Sequence, residues 1–188
     1  MLHLFNLLPA HFHLPSETKA ALESSFEPRS AAKNDLLIEE GHVCRHLYFL
    51  ERGCIRGFAN IDGKEVTQWF GFEHDFVTSF RSFISRSASR EYIQVVEDAD
   101  LWCISKDQLE ILLEKFPELE KLVRLIYEQY YIRLEDRYSN AHFKSAGERY
   151  EDLLKFSPHI LERMPLGYIA SYLGISAETL SRIRGKQV

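Results

Sequence analysis

Two kinds of hydrophobic pattern divide the chain. Between about Asp35 and Ser105, short apolar runs alternate with turn residues: Leu36–Ile38, Leu47–Leu50, Cys54–Phe58, Val66–Phe70, Tyr92–Val96 and Leu101–Ile104. Such runs predict strands. Asp62-Gly63 falls between Phe58–Ile61 and Val66–Phe70, and an Asp-Gly pair there predicts a hairpin, because a type I′ turn needs φ > 0 at both central residues. Asp98-Ala99-Asp100 reads as a second turn. Many short strands with evenly spaced turns predict an antiparallel barrel or jelly roll. Ahead of them, Ser16 to Phe26 predicts a short helix with Ser16 as its N-cap.

After Ser105 the apolar spacing becomes helical. Ser105 to Leu109 reads as a helix start, and Pro117 as the first turn of another. From Glu118 to Arg137 there is no Gly or Pro, and Leu119, Leu122, Val123, Ile126, Tyr130 and Leu134 recur at three- and four-residue spacing. That stripe fits a core face and a two-helix dimer seam equally. Ser139 to Gly147 predicts a hinge, and Glu148 to Arg163 a further helix.

The richest stretch runs from Leu166 to Gly185. Pro165 suits a helix N-terminus. Ile169 and Leu173 form an apolar face, Ala170 allows close approach, Gly174 ends the helix and Ile175 fills the corner. Ser176 is a good N-cap for a second helix, whose inward face is Leu180 and Ile183. These seven positions (Ile169, Ala170, Leu173, Gly174, Ile175, Leu180, Ile183) fit two helices joined by a short turn. Ala177, Glu178, Ser181 and Arg182 face outward. In a major groove, Glu accepts from cytosine and Arg forks onto guanine. The structural alternative is a Glu178–Arg182 surface ion pair on an ordinary helical hairpin.

Composition changes this picture at one point. The 188 residues are 45% hydrophobic, which excludes a disordered chain, and no apolar run is long enough to span a membrane. The net charge of −5 argues against nucleic acid at first sight. It is unevenly placed, however: residues 1–138 carry −7 and residues 139–188 carry +2. Three scattered cysteines (Cys44, Cys54, Cys103) suit a reducing cytoplasm. Met1–Pro9 lacks the features of a signal peptide.

A strand-rich domain, a long helix and a helix-turn-helix together resemble the Crp/Fnr transcription regulators over nearly the whole chain. Glu40-Gly41, Gly53 and Asp62-Gly63 look like that family's turn glycines. Glu178-Thr179-Leu180-Ser181-Arg182 looks like its recognition-helix signature, with the Fnr-type Glu-x-x-Ser-Arg spacing. The resemblance implies an α+β fold: an N-terminal antiparallel β-roll (jelly-roll-like) with flanking helices, a long dimerisation helix and a C-terminal helix-turn-helix. The expected domains are 1–116, 117–138 and 139–188. It further implies double-stranded DNA, a second copy of the chain and RNA polymerase as partners, and a cytoplasmic location with no membrane. The expected DNA-binding residues are Ser176, Ala177, Glu178, Thr179, Ser181, Arg182 and Lys186.

The chain departs from the family where cyclic AMP binds. Thr78-Ser79 and Ser89-Arg90 stand in place of the Gly-Glu and Arg-Ser pairs, which argues against cyclic AMP as the ligand. No N-terminal cysteine cluster is expected, nor a β-wing after the last helix. Thr78 to Arg90 holds three arginines, five serines and no acid. That composition suits an anion, so Thr78, Ser79, Arg81, Ser89 and Arg90 are candidate contacts for an unidentified small effector. His42-x-Cys44-x-His46 alternates as on a strand, where imidazole and thiolate could ligate zinc or iron, but no fourth ligand is evident and no metal site is assigned. His11-x-His13 is weaker, and no cofactor is expected. The sequence contains no P-loop, nucleophile elbow or H-E-x-x-H, so no enzyme is expected. The alternative function is a sensor whose helical tail meets a protein partner instead of DNA.

Overall fold

The computed structural model describes residues 13–185. Helix α1 (Ser16–Ser25) leads into β1 (Glu27–Ala31), β2 (Leu36–Ile38), β3 (His46–Ile61), β4 (Lys64–Gly71), β5 (Phe76–Val77), α2 (Phe80–Ser85) and β6 (Tyr92–Ser105). Six helices follow: α3 (Lys106–Lys115), α4 (Leu119–Phe143), α5 (Ala146–Phe156), α6 (Ile160–Arg163), α7 (Leu166–Tyr172) and α8 (Ala177–Gly185). The fold is α+β, with an antiparallel sheet ordered β1-β6-β3-β4 and the short strands β2 and β5 paired to β6 and β3.

Strands β3 and β6 form the spine, paired from His46 opposite Ser105 to Phe58 opposite Tyr92. Runs that read as separate strands are therefore continuous: Leu47–Leu50 with Cys54–Phe58, and Tyr92–Val96 with Leu101–Ile104. Register shifts between Leu50 and Ile55 bend the pair without ending it. Asp98-Ala99-Asp100 is accordingly not a turn. Ala99 pairs with Ala31, and Asp100 accepts from Arg52 (2.8 Å) and Ser30 (3.1 Å). Strand β1 carries no alternating pattern, because only Ala31 of its five residues is buried. The Asp62-Gly63 hairpin forms as expected, with φ of 51° and 81°.

Helix boundaries moved for local reasons. Pro15, not Ser16, holds the cap position of α1. Pro117 precedes α4 instead of opening it. Helix α4 continues through Ser139 to Phe143, so the hinge narrows to Lys144-Ser145, where a Ser145–Glu148 capping box starts α5. The single helix expected over Glu148 to Arg163 is two, interrupted at Ser157-Pro158-His159, because a residue before proline avoids the helical region.

Two cores result. One fills the roll, with Phe49, Leu50, Ile55, Ile93, Val95 and Ile104 packed beneath Leu22, Leu109, Leu112, Leu119 and Leu122. The other holds the C-terminal helices through Tyr150, Leu153, Ile160, Met164, Ile169, Leu173 and Leu180, and includes Cys54 and Val96 from the roll. The core reading of the α4 stripe holds for its first half. Leu119 and Leu122 are buried in the first core, with Val123 and Ile126 against it, whereas Tyr131, Ile132, Leu134 and Tyr138 are exposed. No helix among the described residues is long and apolar enough to cross a membrane.

Candidate nucleic-acid interface and ligand pocket

Helices α7 and α8 are joined through Leu173–Ser176. Gly174 takes φ 65°, a left-handed conformation that lets α7 end and the chain reverse. Ser176 Oγ accepts from the Thr179 amide (3.2 Å), the N-cap bond that its position predicted. The corner is fixed from a third helix: the Arg149 guanidinium on α5 donates to the Leu173 carbonyl (2.8 Å). A cation there also suits the negative end of the α7 dipole. Nothing local to the motif marks Arg149, and the sequence reading missed it.

Leu180 is buried, and Ile175 and Ile183 pack against the same core. The opposite face of α8 is open. Ser176, Ala177, Glu178, Ser181 and Arg182 are exposed, and Thr179 is half-buried. Arg182 donates to Thr179 Oγ1 (3.1 Å) instead of pairing with Glu178, so the ion pair of the structural alternative does not form. A hydrogen bond from Ser176 lowers the Glu178 carboxyl below its usual range, which keeps it an acceptor at neutral pH. Lys186 and His11 lie outside the described residues, as does Met1–Pro9.

The five candidate effector residues separate into two groups. Ser79, Arg81 and Arg90 line a pocket of about 180 Å³ with Gln68, Ser82, Ala88 and Glu91. Thr78 and Ser89 do not line it. Thr78 is buried, donating to the His46 carbonyl (2.9 Å) beside Cys44, and Ser89 is buried, bonded to Ser79 Oγ (3.0 Å) and the Glu91 carbonyl (2.7 Å). The segment is not a plain loop either. Helix α2 occupies its middle, and Arg86, left-handed at the end of that helix, is drawn away to Asp107 and Glu110 of α3. Arg81 and Arg90 have no carboxylate partner among the described residues. Glu91 is held by the Trp69 indole (2.8 Å). Gln68 escaped the sequence reading because the fold brings β4 to the pocket, and Glu91, next to Arg90, because a search for groups that hold an anion passes over an acid. From the pocket, Phe80 reaches α4, its ring 4.0 Å from that of Tyr130.

His42, Cys44 and His46 do not share a strand face. Strand β3 begins only at His46, His42 is exposed, and the Cys44 thiol is sealed inside against Thr78 Oγ1 (3.1 Å) and the His46 carbonyl (3.4 Å). The period-two argument fails because the chain from His42 to Arg45 is irregular apart from a single bridge at Val43.

Along α4, beside Leu113 of α3, a groove of about 590 Å³ is lined by Val123, Tyr127, Tyr131 and Ile132, together with Glu120, Arg124 and Glu128.

Comparison with known proteins adds to this geometry. Residues 28–116 match the cyclic nucleotide-binding domain family. The anaerobic regulatory protein of Bacillus subtilis (strain 168) is 30% identical over 98 residues, covering 52% of this chain and 41% of that protein. The chain thus matches well under two thirds of that relative's length. Among solved structures, a CooA mutant from Carboxydothermus hydrogenoformans superposes with a TM-score of 0.72 at 15% identity, covering 98% of this chain and 82% of the other. A crp/fnr family protein from Eubacterium rectale superposes with a TM-score of 0.71 at 19% identity, covering 90% and 82%. At those identities the two superpositions show a shared fold.

Proposed function

We propose that this chain, which carries a cyclic nucleotide-binding domain in residues 28–116 and the Crp/Fnr fold over its length, is a sequence-specific DNA-binding transcription regulator. The observation that carries the proposal is the open face of α8. Its N-cap is made, its inner side is buried, and Glu178, Ser181 and Arg182 point outward, with the Arg182 guanidinium paired to no carboxylate among the described residues. A helix whose first turns present such groups is built to enter a major groove.

DNA reading by one copy is weak, because the C-terminal unit is only slightly basic. The exposed face of α4 supplies the remedy: Tyr131, Ile132 and the groove beside them take the same face of a second copy, in an isologous contact. The dimer then reads a near-palindrome with half-sites about 34 Å apart. Selection from random duplex DNA, followed by gel shift, tests this. A symmetric site with half-sites one helical turn apart is expected. If each copy neutralises two phosphates, in line with the net charge of +2 on its C-terminal residues, the slope of log affinity against log salt should be about −3.6, taking ~0.9 per neutralised phosphate. Recovery of no enriched site, with no duplex binding at any salt, would sink the proposal.

The pocket at Arg81 and Arg90 is the effector site of this reading. Two guanidinium groups without a carboxylate partner among the described residues, beside Ser79, fit a small anion, and Ser79 offers no carboxylate for a ribose hydroxyl. Cyclic AMP, cyclic GMP and other phosphate-bearing metabolites can be screened through Trp69, whose indole is bonded to the pocket residue Glu91. An anionic ligand should shift the Trp69 emission, and Arg90→Ala should weaken it at least tenfold, as expected from ~1.5–3 kcal/mol for a charged hydrogen bond. Equal binding to an Arg81→Ala/Arg90→Ala double variant would remove the pocket from consideration.

A further inference from the structure

The pocket beside α2 carries charges of both signs, and they do not meet. Arg81, Arg90 and Glu91 all line one cavity of about 180 Å³, yet no ion pair joins Glu91 to either arginine among the described residues. Guanidinium and carboxylate groups within reach ordinarily close on one another. Arg86 of the same segment does so, onto Asp107 and Glu110. Glu91 is instead held from the sheet. The Trp69 indole donates to Glu91 Oε2 (2.8 Å), and the Glu91 amide donates to Ser89 Oγ (3.2 Å). Trp69 is seated in turn on its cross-strand partner Gly57, where a Cβ would fall 2.1 Å from the indole. This fixes one carboxylate oxygen of Glu91 and leaves Oε1 without a partner among the described residues. Ser79 and Ser82 are buried, and the Ser82 hydroxyl is already satisfied by the Cys44 amide and the Ser87 carbonyl. Arg81 and Arg90 are exposed. The cavity therefore has a cationic rim, a hydroxyl floor and one acidic wall.

A plain anion suits only part of this arrangement. Brought to the arginines, it also approaches the Glu91 carboxylate, and like charges at that range repel. An anion that carries a hydroxyl group turns the same carboxylate into an acceptor: its oxyanion end meets the guanidinium groups and its hydroxyl donates to Glu91. Size and wall chemistry narrow the class further. Sites for drug-sized ligands run to about 300–1,000 Å³ and are walled largely by apolar side chains. This cavity is smaller, and Ala88 is the one apolar residue that lines it. Its lining has no aromatic or aliphatic slot for a purine base.

We propose that the effector is a small hydroxylated oxyanion, a polyol phosphate or hydroxy acid of a few carbons, bridging Arg81 and Arg90 to Glu91, and that Glu91 is the residue that selects it. The class rests on the effector pocket proposed above, and the DNA-reading face does not enter it. Calorimetry on the full-length protein tests it with two pairs of probes and cyclic AMP. Glycerol 3-phosphate is compared with n-propyl phosphate, and glycerate with propionate. Each second member keeps the anion and loses both hydroxyls, and the pair that responds separates phosphate from carboxylate.

In one pair the hydroxylated member should bind about tenfold tighter or more, because a site built to accept a ligand hydroxyl penalises the analogue that lacks it. Glu91→Gln should bring that ratio to within about threefold and tighten the deoxy probe, since the repelling charge is gone while the new amide oxygen still accepts from Trp69. Unchanged Trp69 emission and melting temperature show that the wall stands in the variant. Arg90→Ala should weaken both members and keep their ratio. Equal binding within both pairs, still weakened by Arg90→Ala, overturns the hydroxylated class and leaves the anion pocket standing. A ratio that survives Glu91→Gln, or cyclic AMP binding tighter than either hydroxylated probe, also overturns it. If no probe binds, the class and the pocket fall together, and the DNA reading is judged by its own site selection.

Discussion

Arg182→Ala should cost about 1–3 kcal/mol per half-site, the range for one bidentate guanidinium–guanine contact, and should relax selectivity at a single base pair of each half-site. Because two copies act on one palindrome, the dimer loses the contact twice, and affinity for the selected site should fall by two orders of magnitude or more at the middle of that range. The structure isolates the effect from folding. Arg182 is exposed, and its one bond is to Thr179 Oγ1 on the same helix, so its removal opens no cavity and strands no buried charge. Thermal stability should therefore change by less than about 0.5 kcal/mol. Arg184→Ala, in the last turn, is the control. A residue placed for phosphate contact loses affinity uniformly across sequences. If Arg182→Ala also lost affinity equally on matched and mismatched sites, α8 would not be reading bases through that side chain.

What made α8 legible is that its signals are local. The cap at Ser176, the left-handed Gly174 and the inward Leu180 lie within a few residues of one another, and each has a physical requirement that few residue types meet. The pocket was legible in part for the same reason: Ser79, Arg81 and Arg90 are near in sequence, whereas Gln68 reaches it from another strand through the fold. Thr78 and Ser89 looked like ligand groups because hydroxyls carry no mark of whether they face a cavity or satisfy a backbone carbonyl. The Arg163 ion pairs left no trace at all. Arg163 meets Glu97 across 66 residues and Glu73 across 90, and a charged residue on a short helix reads as solvated until its partners are known. The strands were divided for a different reason. Turn-forming residues such as Gly53 and Asp98–Asp100 mark a bend within β3 and β6 here, and a bend and a turn use the same residues.

That bend is also where a single methyl group should do the most damage. Gly53 has φ 99°, and a Cβ there would stand 2.7 Å from the Asp98 carbonyl oxygen and 2.9 Å from the Ala99 Cα, both backbone atoms of the neighbouring strand. Neither can move aside as a side-chain tip could, so Gly53→Ala forces β3 and β6 apart at the centre of the sheet. The backbone conformation alone costs an alanine about 1–2 kcal/mol, and the displaced ladder adds a comparable or larger amount. Against a domain stability of about 5–15 kcal/mol, a total near 3–5 kcal/mol is a large fraction. At roughly 2–4 °C per kcal/mol, melting should fall by about 6–20 °C. Gly63→Ala separates the two causes. Its φ is 81° but a Cβ there meets nothing within 4 Å, so it should show the conformational cost alone. Equal melting temperatures for the two variants would mean that the sheet yields at Gly53 without resistance.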